Sequence, residues 1–144
     1  MAAAKRRPGL PATLLLTVLV GVPLWAAPSI IRGLAAVRWV NHYGSMETLP
    51  RPRKATARTI VGKADLAISN LAPLPQASNA ALLALEIGER LQYGDNDQEA
   101  ALLIYQGIRA SCARMRSRPL LGEGFAVLEA RAAALEDSVT RSRE

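Results

Sequence analysis

The sequence predicts an all-α protein, with a single N-terminal transmembrane helix followed by a small helical domain. Three observations predict it. No charged residue falls between Arg7 and Arg32. No stretch alternates apolar and polar residues as a half-buried strand would. Beyond residue 59, apolar residues recur at the three- and four-residue steps of amphipathic helices. The chain has 144 residues, so once an anchor and a spacer are set aside only a small core remains, of marginal independent stability.

Residues 1–8 form a basic tail containing Lys5, Arg6 and Arg7, and residues 9–31 read GLPATLLLTVLVGVPLWAAPSII. As one helix this run rises ~34 Å, against a hydrocarbon core of ~30 Å. Pro11 falls in the first turn, whereas Pro23 and Pro28 are expected to bend or end the helix. Ser29 is then a candidate N-cap for an interfacial amphipathic segment over 32–43. That segment has Ile30, Ile31, Leu34 and Val37 on one face, with Arg32, Arg38, Trp39 and Tyr43 suited to the headgroup level. Two other readings stay open. One is a cleaved secretory signal with Leu24, Trp25 and Ala26 as its cut site, opposed by the length of the run and by Pro28. The other is a mitochondrial presequence, opposed by the unbroken apolar stretch and scarce serine. The adjacent charges at Lys5, Arg6 and Arg7 favour an N-terminus in the cytoplasm and a C-terminal domain on the non-cytoplasmic side, giving single-pass membrane localisation.

Charge narrows the function classes. The net charge is +6, but Lys5, Arg6, Arg7, Arg32 and Arg38 all precede the first acid, Glu47. The remainder is nearly balanced, so the concentrated basic surface that nucleic acid requires is absent. Cys112 and His42 are the only residues of their kinds. They supply neither a disulfide nor an ordinary zinc site, and they form no nucleophile and base pair that the sequence places together. No Gly-rich phosphate loop occurs. The expectation is a protein with no catalytic residues, no metal, no cofactor and no small-molecule substrate.

Residues 44–58, GSMETLPRPRKATAR, are expected to be a Pro-rich basic linker, leaving 59–144 as the helical domain. Ile60, Ala64, Ala67, Ile68 and Leu71 mark a short amphipathic helix that ends at Pro73 and Pro75. Ser78 or Asn79 is the candidate cap of a helix to about Tyr93 with Leu83, Ile87 and Leu91 inside. A second helix over about 97–114 buries Ala100, Ile104, Gly107 and Ile108, and a third runs from near Pro119 to about Arg141 with Leu121, Phe125, Leu128, Ala132 and Leu135 in its stripe. Asp95, Asp97 and Glu99 lead the second helix, while Arg109, Arg114, Arg116 and Arg118 gather at its end, as the helix dipole favours.

Residues 80–125 resemble the tetratricopeptide repeat. Ile87 and Gly88 match the family's Leu-Gly pair, and Leu91 stands for its Tyr. Ala100 and Ile104 stand for the Ala and Phe of its second helix. Leu121, Gly122 and Phe125 echo Ile87, Gly88 and Leu91 one repeat later. Ala84 replaces the family's Trp and Cys112 its terminal Pro. The resemblance implies a protein-binding scaffold whose groove is lined by Leu85, Glu89, Gln92 and Tyr93 of the first helix. Leu85 and Glu89 do not fit the family's carboxylate clamp of Lys and Asn. The resulting expectation is a bitopic, membrane-anchored scaffold or accessory subunit that binds a partner protein, with the lipid bilayer as its other contact. The alternative is a small structural subunit of a larger membrane complex, held by its transmembrane helix through Gly21, Ala26 and Ala27.

Overall fold

The computed structural model describes residues 10–120 and 122–144, with the backbone alone described at 10–20, 22, 23 and 123. Among the described residues there are five helices and no strand: α1 Leu10–Ser45, α2 Arg53–Leu71, α3 Pro75–Tyr93, α4 Gln98–Arg116 and α5 Gly122–Arg141.

The helices stack in chain order. Each packs on its next neighbour and its next but one: α1 on α2 and α3, α2 on α3 and α4, α3 on α4 and α5, and α4 on α5. Among the described residues α1 meets neither α4 nor α5, and α2 does not meet α5. A closed bundle would bring its ends together, so this is an open array of antiparallel hairpins.

Small residues set the spacing. A side chain at Gly88 would fall 2.5 Å from the Tyr105 ring, and one at Gly107 would fall 2.3 Å from Val61 Cγ1. The first contact joins α3 to α4, as two neighbouring helices with a glycine between them require, and the second joins α4 to α2. Gly33 lies against Leu71 in the same way and brings α1 onto the end of α2. One continuous core runs through the array from Val40 and Ile60 to Leu128 and Val139.

The N-terminal expectation is corrected. Among the described residues no helix is long and apolar enough to cross a membrane. The single transmembrane helix expected over 9–31 is therefore not supported, nor are the single-pass localisation and the non-cytoplasmic placement that depended on it. Residues 1–9 and the side chains of 10–20, 22 and 23 lie outside the described residues. The backbone forms one 36-residue helix that runs through Pro23 and Pro28, carries Arg32 and Arg38, and ends at Ser45. No break separates a span from an interfacial segment. Gly33, Ala36 and Val40 commit its last turns to protein packing, while Ile31 and Leu34, expected on one face of a segment lying at the headgroup level, are exposed.

Two prolines start helices where the sequence suggested spacers. Pro52 is extended and immediately precedes α2, and Thr56 Oγ1 donates to the Pro50 carbonyl at 2.9 Å, fastening that first turn. Much of 44–58 thus belongs to the ends of α1 and α2. Pro75 begins α3 at a position where its missing N–H costs nothing, so Ser78 lies inside the first turn and donates to the Pro75 carbonyl. Asp97 caps α4, its Oδ1 accepting from the Ala100 N–H at 3.1 Å.

Candidate functional site

The four groove candidates of α3 are divided by burial. Leu85 is buried in the core and Gln92 is 7% exposed, whereas Glu89 is half-buried and Tyr93 is 70% exposed. Only Glu89 and Tyr93 reach the surface. Glu89 accepts from Arg131 of α5 at 3.0 Å, which leaves Tyr93 as the open aromatic surface on that helix.

Gln92 has a structural task. The Tyr105 hydroxyl donates to Gln92 Oε1 at 2.9 Å, Gln92 Nε2 donates to Ser138 Oγ at 3.1 Å, and Ser138 Oγ donates to the Leu135 carbonyl at 2.7 Å. This chain of donors crosses α4, α3 and α5. In a largely apolar core it fixes how the three helices register, because a shifted register leaves buried polar atoms unpaired.

Arg90 works at another joint. Its guanidinium donates to the carbonyls of Tyr43, Gly44 and Met46 at 3.3, 3.1 and 2.9 Å. Carbonyls at a helix end lack intrahelical partners and carry the negative end of its dipole, so a cation supplied by α3 satisfies both needs.

The arginines in the second half of α4 do more than balance a dipole. Arg109 pairs with Glu136 at 2.9 Å and Arg116 with Glu129 at 3.2 Å, both on α5, while Arg114 pairs with Asp65 of α2. The Ser111 hydroxyl, buried beside Arg114, donates to the same Asp65 oxygen at 2.7 Å. Pairs of this exposure contribute ~0–1 kcal/mol each, so their main effect is to orient the helices.

Among the described residues no group of three His, Cys, Asp or Glu side chains converges on a metal-sized space. His42 lies on the exposed side of α1 in an aromatic cluster with Trp39 and Tyr43, and Lys63 of α2 sits 5.6 Å from the Trp39 ring centroid. Cys112 is wholly buried, and burial first, then the Glu129 carboxylate, pushes its thiol up to about 12.

That shift has a defined sign. Below the unfolded thiol's pKa of ~8.5 both states keep the proton; above it the unfolded chain loses the proton while the folded chain holds it, so stability falls as pH rises toward 12. Urea midpoints are expected to decline between pH 8 and 11. Cys112→Ala should flatten part of that slope, with the remainder due to Tyr105, whose phenol burial also pushes up. Equal slopes in the two proteins would refute the assignment. A thiol reagent at pH 8 should label Cys112 only after unfolding.

One feature escaped the sequence. The turn from α2 to α3 and the connection from α4 to α5 lie at the same end of the array and enclose a cleft of about 760 Å³. Its lining includes Leu74, Phe125, Arg116 and Arg118. Residues more than forty positions apart meet there only because the hairpins are antiparallel, and no local spacing announces such a meeting.

Comparison with protein-family models, with curated proteins and with solved structures gives no match.

Proposed function

We propose that this chain is a protein-binding scaffold, an open stack of helical hairpins that holds a partner protein. The observation that carries the reading is the stacking order: among the described residues helices touch only their next and next-but-one neighbours, and α1 and α5 each pack on the array from one side. Stacks of this kind present extended side-chain surfaces without enclosing a reaction chamber. The pattern also supports the likeness to tetratricopeptide arrays, with α3 and α4 as one hairpin and α5 as the opening of the next. Polar and aromatic groups on the α3 surface, Glu86 and Tyr93 among them, are exposed and free for contact.

The test is cross-linking of the tagged full chain in its own cells, followed by purification under denaturing conditions. A stoichiometric protein partner is expected, and it should be lost when Ile104→Asp collapses the array. Recovery of no protein beyond that collapsed control would overturn the reading.

A further inference from the structure

The cleft between the α2–α3 turn and the α4–α5 connection combines two kinds of surface. Phe125, 5% exposed, forms an apolar floor, and Leu74 on one rim is 43% exposed. Leu120 on the other rim is fully exposed and is held at a φ of 70°, a conformation that costs a leucine ~1–2 kcal/mol. Arg116 and Arg118 line the same space. Arg116 is engaged by Glu129, whereas Arg118 has no ion pair among the described residues. A monomer in water gains nothing from apolar rims beside a cation. A ligand with apolar side chains and carboxylates gains from both.

We propose that this cleft binds a short acidic and apolar segment of a partner protein. Its carboxylates meet Arg118 and the outer edge of Arg116, and an apolar side chain descends between Leu74 and Leu120 toward Phe125. Charge complementarity selects the acidic class. Concavity selects a peptide over a flat anionic surface, since a bilayer face cannot enter a recess. Nucleic acid is disfavoured because the one aromatic ring lining the cleft is buried and offers no stacking face. The volume falls within the ~300–1,000 Å³ of ordinary ligand clefts, enough for a few side chains rather than a whole domain. This inference rests on the scaffold reading and assigns its partner's chemistry.

The experiment uses the full chain and a short fluorescein-labelled peptide of alternating glutamate and leucine, read by anisotropy. Saturable binding is expected, weakening with added salt and falling about tenfold in Arg118→Glu, the loss of one charge-assisted contact. A peptide with lysine in place of glutamate should not bind. Leu120→Gly provides a second variant that relieves the backbone and removes the apolar rim, so it should melt no lower than the parent and bind several-fold more weakly. Unchanged affinity in both variants, or equal binding of the lysine peptide, overturns the proposal. Binding to phosphatidylserine vesicles without binding to the glutamate peptide also overturns it, in favour of a lipid surface. A photo-cross-linker placed at Leu120 and, separately, at Tyr93 distinguishes the two levels. A protein captured from Tyr93 alone overturns the cleft and leaves the scaffold standing, while no capture from either position overturns both.

Discussion

Tyr105→Ala is expected to cost about 4–6 kcal/mol, the sum of emptying a large buried site and stranding a polar partner. The ring is wholly buried and packs directly over Gly88, so its removal opens a cavity between α3 and α4. Its hydroxyl donates to Gln92 Oε1 at 2.9 Å, and with the donor gone that oxygen is left buried without a partner. Small domains hold only ~5–15 kcal/mol in all, so the variant should be unfolded or nearly so at room temperature by circular dichroism. Tyr105→Phe separates the two contributions, since it keeps the ring and loses only the hydrogen bond, for about 1–3 kcal/mol. A Tyr105→Ala protein within 1 kcal/mol of the parent in urea unfolding would contradict the packing described for this joint.

Gly107→Val should be the next most damaging change, at about 3 kcal/mol. A Cβ at Gly107 would lie 2.3 Å from Val61 Cγ1 and 3.1 Å from Val61 Cβ. A β-branched neighbour on a helix has essentially one rotamer and cannot swing away, so α2 and α4 would have to separate. For a domain of this size that cost lowers the melting temperature by roughly 10 °C. The milder Gly107→Ala makes the mechanism testable, because Val61→Ala in the same chain creates the room it lacks. The double variant should be more stable than the sum of the singles by at least about 0.5 kcal/mol. Simple additivity would mean that the two helices do not meet there.

Much of α2 to α5 was legible in the sequence because their apolar stripes are strong. Ile60, Ala64, Ile68, Leu91, Ile104, Ile108, Phe125 and Leu128 were all placed inside from periodicity, and all are buried. Helix starts were less legible. Pro52 and Pro75 read as breakers of structure, yet a proline at or just before the first helical position begins a helix, and so α2 and α3 start earlier than their apolar stripes do.

The packing face of α1 was illegible for a related reason. Ile30, Ile31 and Leu34 carry the hydrophobicity, but Gly33, Ala36 and Val40 carry the contact, because close helix approach selects small residues whose sequence signal is weak. Of the groove residues, Leu85 and Gln92 were assigned by analogy with a repeat's first helix. The chain instead buries both, since α5 lies over that side of α3 and Gln92 is needed to pair Tyr105 with Ser138. The cleft at the turn end was illegible because its parts come from separate connections.

The cation from α3 that satisfies the last carbonyls of α1 ties the fraying of one helix to the integrity of another. Terminal helices of an open stack normally exchange their amide hydrogens through private, low-energy openings. Here three backbone carbonyls at the C-terminal end of α1 are latched by Arg90, whereas the end of α5 is tied to α4 through side chains alone, Gln98 Nε2 donating to Ser142 Oγ and Arg143 Nε to Gln98 Oε1, and its last backbone bonds are its own. Deuterium should therefore enter the last turn of α5 before the last turn of α1, making these two helix ends unequal in lifetime.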